Sequence, residues 1–159
     1  MRNLSLLIGL LLVASFPRDA VALPPGPAES ASSKYPLAIE PKKVGRYPAL
    51  VKSGGGYFYD DVLEYRVWVP PGAKQSEIPY WRYEAFARFE DALKSSIETI
   101  RAERPRVVIR QRKWINEPQP GVFEIVEEER IAEWQVAWLD GRKRESDSLE
   151  QFMQDHKRK

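Results

Sequence analysis

The chain has 159 residues, 43% apolar and 30% charged, with 13 prolines and 9 glycines, which fits one globular domain of ordinary size. It contains no cysteine and a single histidine, His156, near its end. That excludes a disulfide framework, a thiolate nucleophile and a Cys/His zinc site, and leaves a Ser-His-Asp triad only if the tail reaches a pocket. The net charge of +2, from 25 basic and 23 acidic residues, is too balanced to demand a nucleic-acid or membrane partner.

The first 22 residues read as a secretory signal. Arg2 supplies the positive start, residues 4–16 carry no charge, and Ala20-Val21-Ala22 offers a small-x-small cleavage site. A membrane-spanning helix needs about 20 apolar residues, and Pro17, Arg18 and Asp19 end this run too soon. With no cysteine to follow, lipid anchoring is excluded. The expectation is a periplasmic or secreted protein with no transmembrane span after cleavage. A start site placed too far upstream would instead leave a cytoplasmic protein. Removal of residues 1–22 takes away two arginines and one aspartate and leaves a charge of +1. Stability must then come from packing alone, which a core of about 100 residues can supply.

Residues 23–43 hold Pro24, Pro25, Pro27, Pro36 and Pro41 with Ser30, Ser32 and Ser33 between them, the composition of an extended, solvated linker. The folded domain is expected over 44–139. Residues 44–52 are strand-like, with Pro48 confining them to an edge or bulge. Ser53-Gly54-Gly55-Gly56 is a turn. Residues 57–69 alternate as a strand, with Leu63, Tyr65, Val67 and Val69 on one face and Glu64, Arg66 and Trp68 on the other. Residues 80–86 form a shorter aromatic strand.

Residues 88–102 are expected to be helical. Phe89, Ala92, Leu93, Ser96, Ile97 and Ile100 make a stripe that would pack on a sheet, with Glu90 and Asp91 in the first turn and Arg101 in the last. Residues 107–115 alternate again, with Val107, Ile109 and Ile115 opposite Arg110, Arg112 and Trp114. Residues 116–121, with Pro118, Pro120 and Gly121, read as a turn or loop. Residues 122–126 and 130–139 would close a final hairpin about Glu127-Glu128-Glu129, its buried face marked by Trp134, Val136 and Trp138. Residues 140–159 form a charged tail, in which 148–156 can make a short helix held by Leu149, Phe152 and Met153. The expected fold is α+β: a single antiparallel sheet of about five or six strands with one helix across one face.

The triple glycine 54–56 precedes a strand and is followed by no lysine, so it fits a hairpin turn and not a phosphate loop. Asp60, Asp61 and Glu64 are the best acidic constellation, with Asp60 and Glu64 on one strand face and Asp61 turned away. Such carboxylates can serve as acid and base or hold a hard cation. The spacing matches no calcium loop, Arg66 can neutralise one of them, and no metal ligand is assigned. Arg106, Arg110 and Arg112 would share a face on which phosphates could bind while Trp114 stacks a base. Glu124, Glu127 and Glu133 can instead pair with them across the sheet. Nucleic acid is not expected as the partner of an exported protein.

Tyr57, Phe58, Tyr59, Tyr65, Trp68, Tyr80, Trp81 and Tyr83 lie within 27 residues. One buried face cannot absorb both phases of these runs, so some rings, Tyr59, Trp68 and Trp81 foremost, should reach the second face. Either the helix and tail cover them there or they bind a sugar, a peptide or a protein partner. The binding candidates are thus Tyr59, Trp68 and Trp81 among the rings and Asp60, Asp61, Glu64 and Arg66 among the charges. No catalytic residue is assigned.

The segments Val44-Gly45-Arg46-Tyr47-Pro48-Ala49-Leu50-Val51-Lys52-Ser53-Gly54-Gly55-Gly56-Tyr57-Phe58-Tyr59-Asp60-Asp61 and Trp114-Ile115-Asn116-Glu117-Pro118 resemble a family of small, uncharacterised bacterial proteins, over roughly residues 39–139. Its members often carry a GNAT-type N-acetyltransferase label, and some lack the N-terminal extension. The resemblance would imply acetyl-CoA as cofactor. Such enzymes cradle its pyrophosphate on a Gln/Arg-x-x-Gly-x-Gly/Ala turn that opens a helix. No such segment occurs here, so no residue can be assigned that role.

These observations point to a small exported binding domain that uses no cofactor, with acetyl transfer and RNA binding as the alternatives. Cleavage after Ala22 predicts Leu23 as the first residue of the protein isolated from its own cells. Mass spectrometry of the intact chain checks this, and a terminus upstream of Leu23 or near Ile39 reopens the cytoplasmic readings.

Overall fold

The computed structural model describes residues 33–48, 56–73 and 79–157. The expected signal peptide, residues 23–32 of the linker and Gly54-Gly55 of the turn lie outside the described residues. In chain order the strands are β1 (Asp61–Val69), β2 (Arg82–Phe86), β3 (Arg106–Gln111), β4 (Trp114–Gln119), β5 (Val122–Val126) and β6 (Arg130–Gln135). The helices are α1 (Phe89–Glu98), between β2 and β3, and α2 (Ser148–Lys157), at the end. The architecture is α+β, but not one sheet with one helix. An antiparallel four-stranded sheet of order β2-β1-β3-β6 is accompanied by a separate two-stranded sheet, β4-β5.

Two local signals explain the division. Gln119 pairs with Val122, so Pro120 and Gly121 are the whole β4–β5 turn. Proline presets the first turn residue, and Gly121 takes the positive φ of 78° that the second requires. The expected loop over 116–121 is therefore mostly strand. Pro118 sits where the β4–β5 register slips between Asn116 and Gln119, a place where its missing N–H costs no ladder bond. β5 pairs with β4, and the expected β5–β6 hairpin does not form. β6 instead lies along β3, with Trp134 opposite Val107 and Ala132 opposite Ile109. Its strand geometry ends at Gln135, and Val136–Leu139 turns as a 3-10 helix.

β1 is buried along nearly its whole length. Its pairing with β3 slips by one residue, from Val62↔Ile109 to Glu64↔Val108. This bulge reverses the side-chain phase between Val62 and Glu64. Leu63, expected beside Tyr65, Val67 and Val69, instead joins Tyr47 and Val108 on the opposite face, and Val62 takes its place. The main core then comprises Val62, Tyr65, Val67, Val69, Val107, Ile109 and Trp134, covered by Ala92 of α1 and by Val136 and Leu139. Each large side chain so buried contributes about 1.5–3 kcal/mol relative to exposure.

α1 starts as expected but ends at Glu98, and Arg101 then adopts a left-handed φ of 63° that turns the chain towards β3. Only part of its apolar stripe meets the sheet. Ala92 is buried and Phe89 packs beside it, while Leu93, Ile97 and Ile100 remain 39%, 75% and 75% exposed.

The arm, expected to be solvated, is packed, and the tail forms its expected short helix. In the arm, Tyr35 meets Phe89 edge-on at 4.7 Å, Ala38 is buried, and the Ala38 and Ile39 amides donate to Ala87 and Val62 carbonyls, both at 2.9 Å. Tyr65 Oη donates to Pro36 O at 2.5 Å. These anchors outweigh the linker-like composition. Residues 44–48 do not form the expected strand. They cross the second face of the sheet as a strap, after a 3-10 turn at Pro41–Lys43. The tail docks through Phe152, which packs on Tyr57, Phe123 and His156.

Candidate functional site

The second face of the four-stranded sheet carries the charges that the sequence singled out. Arg66 donates from Nε to Glu64 Oε1 at 2.6 Å, and its Nη1 lies 3.5 Å from Glu133 Oε2. All three side chains are buried. The strap completes the shell: Arg66 Nη2 donates to Tyr47 O at 2.7 Å, and the Gly45 amide donates to Glu64 Oε2 at 2.5 Å. The Tyr83 ring lies 4.2 Å beneath the guanidinium, and Trp68 Nε1 donates to Glu133 Oε1 at 2.9 Å. Trp68 also meets Tyr83 edge-on at 5.3 Å. The cation is held between two carboxylates and over a ring, with Nη1 alone making no hydrogen bond among the described residues. A ligand could reach Glu64 or Arg66 only if the strap lifted.

Asp60 and Asp61 belong to a second network at the start of β1. Arg144 pairs with Asp60 Oδ1, and the Arg112 amide donates to Asp60 Oδ2 at 2.5 Å. Asp61 Oδ2 accepts from Arg112 at 2.7 Å and from Arg110 at 3.4 Å. Because of the bulge, Asp61 and not Asp60 shares the face of Glu64. The arginines therefore have carboxylate partners, but not the expected Glu124 and Glu127. Arg110 also meets Glu40 and Glu129, Arg106 meets Glu103 at 3.9 Å, and Glu127 pairs with Lys113. Among the described residues no group of His, Asp and Glu is placed to hold a metal ion.

The three candidate rings go to three places. Tyr59 is in the core, edge-on to Trp134, and burial raises its hydroxyl pKa, with the Asp140 charge adding to it. Trp68 belongs to the Arg66 shell. Trp81 is 50% exposed next to Tyr80 at 64%, at the free edge of the sheet.

An open groove of about 740 Å³ lies elsewhere, between α1 and the chain around Val136. Phe89, Leu93 and Ile97 form one wall, Val136 and Ala137 the other, and Arg104 lies at the rim. The sequence assigned Leu93, Ile97 and Ile100 to the sheet and so missed this surface. The width of the stripe was the available signal. At about 100° per residue its six positions span roughly 140° of the helix, wider than the contact with one sheet needs.

Comparison of the chain with protein-family models, with curated proteins and with solved structures finds no match.

Two outcomes test the charged face. Removing the cation from a buried pair costs about 3–5 kcal/mol, because a charge is left uncompensated. Arg66→Met should therefore lower the unfolding free energy by that order in urea titrations, and adding Glu64→Gln and Glu133→Gln should recover much of the loss.

The strap gives a pH signature. Lys43, Tyr47 and Arg110 hydrogen bonds lower the Glu40 pKa from 4.5 to about 2. Burial, with the hydrogen bond to Glu40, raises Tyr47 from 10.0 to about 12. A lowered acid stabilises above its unfolded pKa and loses that contribution as pH falls; a raised phenol does so in reverse. Melting temperature should thus fall as pH drops from 4.5 towards 2, and again as it rises from 10 towards 12. Glu40→Gln should flatten the acid limb in thermal melts.

Proposed function

We propose that this chain is an exported binding module whose contact surface is the apolar flank of α1 with the adjoining groove. The observation that carries this reading is the exposure of Leu93, Ile97 and Ile100 beside an open groove. Adjacent apolar side chains left in water on a folded domain mark sites of association. The charged candidates support it from the other side. Asp60, Asp61, Glu64 and Arg66 each have an ion-pair partner inside the fold, which accounts for them as structural groups. The half-exposed Trp81 and Tyr80 extend the apolar surface available to a partner at the β2 edge.

The electrostatics weigh against the two alternatives. Acetyl-CoA binding of the implied kind sets a pyrophosphate on the positive end of a helix. Here α1 carries Glu90 and Asp91 in its first turn and α2 carries Glu150, charges that repel such a ligand. RNA binding through Arg106, Arg110 and Arg112 would compete with the carboxylates already beside them. Among the described residues no helix is long and apolar enough to cross a membrane.

The reading predicts that anilinonaphthalene sulfonate, a fluorescent probe of open apolar surface, binds the native protein. Leu93→Glu and Ile97→Glu should each remove most of the enhancement while leaving the far-ultraviolet circular dichroism unchanged. Enhancement equal to wild type in both variants would sink the reading.

A further inference from the structure

A cavity of about 310 Å³ lies between the arm, the residue pair before β1 and the chain that follows Leu139. The most deeply buried polar residue in its lining is Tyr59, 4% exposed. Its ring packs edge-on to Trp134, and its backbone is held on both sides. Tyr59 N donates to Arg142 O at 3.0 Å, and Arg144 N donates to Tyr59 O at 2.8 Å, which sets Tyr59 beside Lys143. The Tyr59 hydroxyl nevertheless makes no hydrogen bond among the described residues. Buried phenols usually find such a partner, and here the cavity is the place left for one.

Four charged groups line the same cavity. Lys34 faces Asp140 at 3.7 Å, a long and exposed pair that holds neither group firmly. Lys143 Nζ lies 5.6 Å from the centre of the Tyr59 ring and donates to Asp60 O at 2.7 Å, which uses one of its three donors. Neither Lys143 nor Glu145 has an ion-pair partner among the described residues. The Asp140 charge acts on the Tyr59 hydroxyl, so acid and phenol face the same space. Tyr35, Pro36 and Leu139 supply apolar wall.

We propose that this cavity binds a free α-amino acid, its ammonium held by Asp140 and the Tyr59 hydroxyl and its carboxylate by Lys143. Two lysines and two acids make the lining neutral as a whole. An anion alone would meet Asp140 and Glu145, and a cation alone would meet Lys34 and Lys143. A small molecule carrying both charges finds an opposite on each side, which is where selectivity comes from. The volume is at the low end of ligand pockets, roughly 300–1,000 Å³, and suits one amino acid better than an oligosaccharide.

Thermal melts of the protein as isolated from its own cells, with each common L-amino acid at millimolar concentration, find the ligand. At least one should raise the melting temperature. Isothermal titration then compares it with the amine and the carboxylic acid that share its side chain but carry one charge. Each should bind about tenfold more weakly or worse. Tyr59→Phe removes a hydroxyl that has no partner to lose in the fold. The unliganded variant should therefore melt at or above the wild-type temperature, while its Kd for the amino acid rises about tenfold or more. No shift with any amino acid overturns the proposal, as does a singly charged analogue that binds as tightly, or a Tyr59→Phe variant that binds like wild type. A lower melting temperature for unliganded Tyr59→Phe overturns it too, because the hydroxyl is then already bonded within the fold. The cavity is separate from the α1 flank, so Ile97→Glu should leave the affinity unchanged.

Discussion

β1 is covered on both sides, and a strand so placed cannot leave a charge without a partner. Arg66 sits at its middle with no exposed surface. Isolated in an apolar interior, a guanidinium would cost several kcal/mol even after the surroundings relax. The second face of the sheet is organised to meet that demand. Glu64 comes from the same strand, Glu133 from β6, the Tyr83 ring from β2, and the Tyr47 carbonyl from the strap. The bulge at Leu63 extends this face towards the start of β1. Strand alternation alone sets Glu64 beside Arg66, and the bulge adds Leu63 and Asp61 to that same face, which would otherwise have faced the main core.

The same constraint explains how far the fold could be read from the residues. Strand periodicity is local, so β1, β2 and the start of α1 were legible, and Tyr65, Val67 and Val69 were rightly paired on one face. A bulge adds one residue without changing composition, so the change of face of Leu63 and of Asp61 left no trace in the pattern. Strand pairing is not local either. Residues 122–126 look equally ready to pair on either side, and only the short Pro120-Gly121 turn commits them to β4. The arm was misjudged for a related reason, while the tail helix and its Phe152 anchor were legible from the apolar spacing. Composition measures average hydrophobicity, whereas Tyr35 and Ala38 are single anchors whose sites exist only once the sheet has formed.

The candidate site was legible in kind and not in place. The surplus of rings was real in the sequence, and the structure uses most of it. Tyr59 fills the core, Trp68 and Tyr83 shield a buried ion pair, and Tyr57 and Phe58 receive α2. Tyr80 and Trp81 stay open at the β2 edge. The larger open apolar surface came from a segment whose pattern looked ordinary. An amphipathic stripe tells which side of a helix is apolar, but not how much of it the sheet will cover. Here α1 lays Ala92 and Phe89 against the core and leaves the flank of Leu93 and Ile97 in water.

Charge and contact are thus divided between the two faces. Carboxylates and guanidinia from β1, β3, β6 and the strap neutralise one another within the domain. Contact is left to the flank of α1, where Leu93 and Ile97 stand in water beside the groove that Phe89, Val136 and Ala137 line. Burying those side chains against an apolar surface would return the transfer free energy that the fold itself leaves ungained, whereas the charged face has no such surplus because its groups are already paired.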